Sequence, residues 1–130
     1  VFANTHFDHR GKTARAESAK LVRNRLPAIA AGVPFVISGD FNCIDGSPPH
    51  RTLAEGDNPW VDTFRKLNPE VVPEKEGTFT GFQEKDNQRR IDWILCSPAF
   101  TVKKAGIDRY RKDGRLPSDH YPVTAAIEFQ

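Results

Sequence analysis

The sequence predicts an α/β fold, because an alternating strand, an amphipathic helix and a buried strand follow one another in its first third. Residues 1–7 alternate apolar and polar side chains, as a half-buried strand does. Residues 13–31 carry apolar side chains at helical spacing. Residues 34–38 form an apolar run that leads into a polar loop, which is typical of a strand covered on both faces.

The predicted helix has an amphipathic pattern with a proline near its end. Pro27 is expected to kink the helix or to separate its last turn, and Gly32 is expected to end it. Its apolar face is predicted to consist of Ala14, Ser18, Leu21, Val22 and Ile29.

The rest of the chain alternates loops and strands. Five prolines interrupt residues 45–87, which are predicted to form a loop-rich insertion with short helices near 50–55 and 61–67. Strands are predicted at 91–96 and 100–107, joined by a turn at Ser97-Pro98, and a last strand at 121–129. Residues 108–116 are predicted to form a basic loop.

The composition indicates one folded domain spanning residues 1–130. Hydrophobic residues make up 38% of the chain and include nine Phe and two Trp, so a mainly disordered chain is excluded. No apolar run approaches the ~18 residues of a membrane span, and no transmembrane segment is predicted. The chain has no Met, not even at position 1, and is therefore expected to be a piece of a longer protein, with the cytoplasm as its default location.

Charge and cysteine content narrow the classes of function. Basic groups dominate residues 10–25 and 103–115, whereas acids dominate 40–88, a distribution that suits an anionic substrate approaching a metal ion. Solvated helix and loop faces also explain such runs. Cys43 and Cys96 lack the spacing of a zinc site and are too few for a disulfide scaffold, so both are predicted to be small buried hydrophobes.

Four polar clusters stand at the ends of predicted strands. In open α/β sheets, side chains at strand ends converge on a ligand site. Asp, Asn and His suit metal-assisted hydrolysis of a phosphoester, since carboxylates hold a divalent cation, a carboxylate or imidazole activates water, and neutral or cationic donors bind phosphate oxygens. The clusters are Asn4-Thr5-His6, Gly39-Asp40-Phe41-Asn42, Arg90-Ile91-Asp92 and Ser118-Asp119-His120.

The motifs T-H-F, G-D-F-N, R-I-D-W-I and S-D-H-Y-P-V, in this order, closely resemble the endonuclease/exonuclease/phosphatase superfamily. The resemblance implies a DNase I-like four-layer α/β sandwich, with two packed β-sheets flanked by helices, of which residues 1–130 are the C-terminal half. It also implies hydrolysis of a phosphoester with Mg²⁺, or Mn²⁺ as the alternative ion. The substrate classes in this superfamily are nucleic acids, phospholipid head groups and sugar phosphates.

Roles carried over from the superfamily fall on six residues. Asp40 resembles the carboxylate that orients or deprotonates the attacking water, and Asn42 the amide that holds a phosphate oxygen and that water. His120 resembles the imidazole at the scissile phosphate, with Asp92 as the carboxylate that fixes its tautomer. His6 resembles the strand-end histidine near the phosphate, and Asp119 a metal-binding carboxylate.

Each cluster also has a structural interpretation. Asp and Asn are common in turns and helix caps, so Asp40 and Asn42 also fit a purely structural role. A lone strand-end histidine such as His6 is more often structural than catalytic. His50 is expected at the surface. Either Arg90 pairs with the Asp92 carboxylate or, as is expected here, it points to the opposite face or into solvent. The alternative function is therefore a non-catalytic module that binds a phosphate-containing ligand or a protein.

The family pattern also includes residues that this chain lacks. Family members carry an Asn and a metal-binding Glu on strands that would precede Val1. The isolated chain is therefore expected to be inactive or nearly so, and its exposed half-domain face to be covered by another copy.

Overall fold

The computed structural model describes residues 1–83 and 88–130. These residues form a four-stranded sheet, a two-stranded sheet and four helices. The strands are β1 (Phe2–His6), β2 (Val36–Asp40), β3 (Val61–Asp62), β4 (Asp92–Cys96), β5 (Phe100–Ile107) and β6 (Val123–Phe129). The helices are α1 (Lys12–Ala30), α2 (Pro48–Ala54), α3 (Thr63–Leu67) and α4 (Pro73–Glu76). Two sheets with flanking helices confirm the predicted α/β class.

The larger sheet has the strand order β1-β2-β4-β3. β1 pairs with β2 in parallel, whereas β4 is antiparallel to both β2 and β3. In this register His6 lies beside Asp40, and Asp40 lies beside Asp92. Three residues distant in sequence therefore occupy neighbouring positions across one end of the sheet. β5 and β6 form the second, antiparallel sheet, and β6 contacts β4.

The hydrophobic core lies between the larger sheet and helices α1 and α2. Ile37, Trp93 and Leu95 point from the sheet into this core, where Phe41 stacks on Trp93 with ring centroids 4.4 Å apart. Side chains alternate along a strand, so the neighbouring residues Ser38, Asp40, Asp92 and Ile94 point to the other face. The same alternation that builds the core therefore places the carboxylates on the opposite face of the sheet.

The buried face of helix α1 shares Val22 with the predicted one but is otherwise different. Its buried residues are Ala19, Leu26 and Ala30, which follow one another at helical spacing, whereas Leu21 and Ile29 are 57% and 63% exposed. A helix with apolar residues on several sides can be buried on more than one of them, and the elements packed against it decide which side is covered. The helix continues through Pro27 to Ala30, and Ala31 ends it in the left-handed conformation, one residue before Gly32.

A buried carboxylate, Asp62, links β3 to the rest of the fold. It accepts hydrogen bonds from the Arg65 backbone at 3.1 Å, which caps α3, and from Arg90 Nη2 at 2.6 Å, and it lies 2.9 Å from His50 Nε2. Arg90 is fully buried and stacks over the Phe64 ring, and its Nε and Nη1 have no hydrogen-bond partner in residues 1–83 and 88–130. Asp62 is thus the carboxylate that balances the Arg90 charge.

One sequence prediction is wrong at this network. His50 was expected at the surface, but it is buried against Trp93 and bonded to Asp62. Arg90 points to the face opposite Asp92, which was one of its two expected positions, and its side chain is buried in the core rather than exposed to solvent. Both side chains are buried because a carboxylate that is distant in sequence satisfies them.

Gly39 lets β1 and β2 approach closely beside the polar cluster. Its φ is +155°, and an added Cβ would lie 1.9 Å from the Thr5 carbonyl oxygen. We expect Gly39→Ala to lower the free energy of unfolding by at least ~2 kcal/mol, because backbone atoms must move apart. Urea denaturation followed by circular dichroism measures this change.

Gly106 supplies a matched control for Gly39 within strand β5. An added Cβ there would meet Thr124 Oγ1 at 3.7 Å, which is an ordinary contact. Gly106→Ala is expected to change the free energy of unfolding by less than ~1 kcal/mol. Equal effects of the two substitutions would contradict the steric explanation.

Candidate active site

Three of the predicted site residues meet at one end of the larger sheet. Asp40 ends β2, Asp92 begins β4, and His120 lies just before β6. A ligand atom from each lies within 4.8 Å of those from the other two. These three residues line an open cleft of about 600 Å³. His6, Asn4, Ser118 and residues 121–123 line the same cleft, whereas Asp119 does not. The predicted convergence of strand-end clusters is therefore present in the structure.

Asp40 is held by the residues that follow it. Its Oδ1 accepts a 2.8 Å hydrogen bond from the Asn42 backbone, and its Oδ2 accepts a 3.2 Å bond from the Asn42 amide. Burial raises the pKa of Asp40, and the nearby negative charge of Asp92 adds to the rise, although the Asn42 backbone N–H and the two histidines oppose it. A carboxylate whose pKa is raised is a better proton acceptor than an ordinary one.

Asn42 supports Asp40 from a left-handed backbone conformation, with φ of +49°. Its Nδ2 donates to the Phe7 carbonyl at 2.9 Å as well as to Asp40. Both amide hydrogens thus have partners within the chain. The geometry makes Asn42 an orienting group for Asp40, and its contact with a phosphate stays a prediction.

The pair His120–Asp92 has the geometry of an oriented imidazole. Nδ1 of His120 lies 2.8 Å from Asp92 Oδ2. Because an ionised carboxylate only accepts hydrogen bonds, Nδ1 carries the hydrogen and Nε2 is left to face the cleft. Nε2 lies 3.8 Å from Asp40 Oδ2, beyond hydrogen-bond distance. The Phe79 ring packs edge-on against the imidazole at 5.2 Å and limits its rotation.

His6 stands on the outer side of the cluster. Its Nε2 lies 3.3 Å from Asp40 Oδ2, and its side chain is 72% exposed. An exposed imidazole at the rim of a cleft can meet a ligand without rearrangement. Asn4, which shares this face, donates hydrogen bonds to the backbone and side-chain oxygens of Ser38.

Asp119 lies beside the cluster rather than in it. Its carboxylate is 3.4 Å from Ser118 Oγ, and its backbone carbonyl accepts bonds from Thr80 and Gly81. Among the described residues, the grouping of possible metal ligands contains Asp40, Asp92 and His120, without Asp119. Its predicted role as a metal ligand therefore stays a prediction.

The donor set near the cleft suits a hard divalent cation. Two half-buried carboxylates, Asp40 and Asp92, point toward the same opening. Mg²⁺ binds through one or two carboxylates and keeps several waters, which an open cleft can accommodate. An imidazole is a poor ligand for Mg²⁺, and His120 is already paired with Asp92. The carboxylates therefore fit the ion, and His120 fits a role toward phosphate.

Comparison with known proteins identifies the family of this chain. A family model described as the endonuclease/exonuclease/phosphatase family matches residues 3–120. The chain belongs to this family. The resemblance inferred from the four motifs is thereby confirmed.

Solved structures of the endonuclease/exonuclease/phosphatase family share the fold of this chain. A family protein from Bacteroides vulgatus is 32% identical with a TM-score of 0.82, over 100% of this chain and 50% of that protein. A mannosyl-6-phosphatase from Bacteroides thetaiotaomicron is 31% identical with a TM-score of 0.75, over 97% of this chain and 50% of that enzyme. Protein angel of Drosophila melanogaster is 27% identical over 98% of this chain and 41% of its own length. The chain thus spans about half the length, or less, of the relatives it matches.

The segment 77–82 connects two parts of the endonuclease/exonuclease/phosphatase site through hydrogen bonds. Thr78 Oγ1 accepts the backbone N–H groups of Ile91 and Asp92, and Thr80 Oγ1 donates to the Asp119 carbonyl. These bonds connect the start of β4 to the Ser118–His120 turn. Thr78 and Thr80 were missed as positioning residues. The two glycines that flank them in G-T-F-T-G-F were the available signal.

The described residues contain no helix that is long and apolar enough to span a membrane.

Proposed function

We propose that this chain supplies the water-activating and phosphate-binding part of a Mg²⁺-dependent phosphoester hydrolase. The observation that carries the proposal is the convergence of Asp40, Asp92 and His120 in one cleft, with His120 Nε2 facing the opening. Membership of the endonuclease/exonuclease/phosphatase family supports hydrolysis of a phosphoester as the reaction class.

The residues take distinct roles in this proposal. Asp40, whose pKa is raised, orients the attacking water and accepts its proton, and Asn42 holds the Asp40 carboxylate in place. His120 donates from Nε2 to a phosphate oxygen when protonated, while Asp92 stabilises the resulting imidazolium. His6 binds a phosphate oxygen from the rim of the cleft.

The carboxylates of Asp40 and Asp92, which point into the cleft, are proposed protein ligands for the metal, together with Asp119, the ligand that the family resemblance implies. Mg²⁺, or Mn²⁺ in its place, would neutralise phosphate charge and lower the pKa of a bound water. Additional ligands from outside residues 1–130 are expected, so low activity of the isolated chain stays a prediction, as does its association with another copy.

A substrate panel tests the proposed reaction. The full-length protein is expected to hydrolyse at least one of three substrate types with Mg²⁺ and to lose turnover in EDTA: a hexose 6-phosphate, a single-stranded oligonucleotide and a phospholipid head-group ester. The sugar phosphate comes first, because a mannosyl-6-phosphatase is among the similar proteins. Absence of metal-dependent turnover on all three would favour the non-catalytic binding module.

The substitution Asp119→Asn tests, in the same assay, whether Asp119 is a ligand of the metal ion. It is expected to raise the Mg²⁺ concentration that gives half-maximal rate by about tenfold or more, because a charged ligand is lost. Asp57→Asn, an exposed site with the same charge change, is the matched control. An unchanged Mg²⁺ dependence in Asp119→Asn would remove Asp119 from the metal site.

A further inference from the structure

Residues 108–117, here named the basic hairpin, form a tight turn beside the cleft. The backbones of Lys112 and Arg115 exchange both hydrogen bonds, at 3.1 and 2.8 Å. Asp113 and Gly114 between them have φ of +51° and +74°, as a two-residue type I′ turn requires. The sequence predicted a loop here, and the structure adds a defined cross-strand pair.

This pairing places two cations directly opposite each other. Residues in a hydrogen-bonded pair point to the same face, and like charges in that position are destabilising. Lys112 and Arg115 are both exposed, and neither makes an ion pair with any residue in 1–83 or 88–130. A bound anion between them would relieve their repulsion.

The face that carries these cations is concave. A cavity of about 420 Å³ is lined by Tyr110, Lys112, Asp113, Arg115, Leu116 and Pro117. Tyr110 is two residues before Lys112 and is 60% exposed, so a flat aromatic surface stands next to the cationic pair. Asp113 occupies the turn and is the carboxylate among the lining residues.

The basic hairpin is also anchored to the candidate active site. The Arg109 guanidinium lies 4.9 Å from the centre of the Tyr121 ring, and Arg111 Nη2 donates to the Tyr121 hydroxyl at 3.4 Å. Tyr121 lines the active-site cleft, as does Ser118, which directly follows Pro117. The linings of the two concave sites therefore adjoin along the chain at Pro117 and Ser118.

We propose that the basic hairpin is a second phosphate subsite, in which Lys112 and Arg115 hold a non-scissile phosphate of a substrate that carries more than one. Tyr110 packs against the adjoining part of that substrate. The subsite rests on the proposed function for its neighbour, the scissile phosphate in the cleft. It favours polyphosphorylated substrates, such as a polynucleotide or a polyphosphorylated polyol, over a simple monophosphate.

Binding by the full-length protein tests the subsite without requiring turnover. The probes are a short fluorescein-labelled oligothymidylate and inositol hexakisphosphate, measured in EDTA at several salt concentrations. The double variant K112Q/R115Q is expected to weaken binding roughly tenfold and to reduce the salt dependence by about 1 to 1.5 in log–log slope. The matched control is R25Q/K104Q, which removes two exposed cations outside the hairpin.

Each outcome of this comparison decides the proposal. A larger loss in K112Q/R115Q than in R25Q/K104Q supports the subsite, and a loss for the oligonucleotide alone identifies a polynucleotide as the ligand. Equal losses in the two variants, no loss, or no binding by the wild-type protein would overturn it. The binding assay in EDTA requires no turnover, whereas the substrate panel measures turnover, so failure of the proposed reaction is distinguishable from failure of the subsite.

Discussion

Asp40→Asn is expected to lower the kcat of the full-length protein by about 10²- to 10⁴-fold, because an amide cannot accept a proton from water. The substitution keeps the side-chain volume, and its oxygen can still accept the 2.8 Å hydrogen bond from the Asn42 backbone. The core beneath Asp40 should therefore be unchanged. Steady-state kinetics on the best substrate of the panel measures the effect.

The control for Asp40→Asn separates the loss of the proton acceptor from the loss of a negative charge and from a loss of stability. Asp57→Asn makes the same change at an exposed position and should keep the kcat of the wild-type protein. Thermal unfolding of both variants establishes that they are folded. Retention of more than about a tenth of the wild-type kcat by Asp40→Asn would contradict the role given to this carboxylate.

Asp62→Asn is expected to destabilise the fold by about 3–5 kcal/mol, because it leaves the charge of Arg90 buried without its carboxylate partner. Arg90 precedes Asp92 by two residues, so its displacement would also disturb the start of β4. Chemical denaturation at neutral pH measures the loss. The removal of a surface ion pair by Glu17→Gln, which frees Lys20, should cost at most about 1 kcal/mol.

The contribution of Asp62 to the free energy of unfolding should also depend on pH. Burial alone would raise the pKa of Asp62. This effect is outweighed by the hydrogen bond from His50, by the charge and hydrogen bond of Arg90 and by the hydrogen bond from the Arg65 N–H. Together these contacts lower the pKa to about 2, from an ordinary 3.8. A lowered pKa in the folded state stabilises the protein by about 2 kcal/mol above pH 3.8. That contribution is lost as the pH falls toward 2.

Comparison of the wild-type protein with Asp62→Asn isolates this effect from other carboxylates. The difference in unfolding free energy between the two proteins should narrow by more than about 1 kcal/mol between pH 6 and pH 2.5. A constant difference across that range would show that Asp62 does not titrate as its contacts indicate.

The motifs and strand patterns predicted that polar side chains from several strand ends would converge. G-D-F-N after an apolar run and S-D-H before a final strand are local signals, and each places a polar side chain at a strand end. His6, Asp40, Asp92 and His120 consequently meet where the sequence predicted. Their distances and hydrogen-bond partners come from the register of β1, β2 and β4.

Other features depended on contacts between distant parts of the chain. Whether Arg90 and His50 are exposed depends on Asp62, and the buried face of α1 depends on which elements pack against the helix. The basic run near residue 112 was visible in the sequence, but the pairing of Lys112 with Arg115 was not. Local periodicity and motifs were enough to predict the fold class and the family, and they named candidate residues whose roles stay predictions. Which charges are buried and which are paired became visible only in the folded chain, because the free energy of a charge depends on neighbours that are remote in sequence.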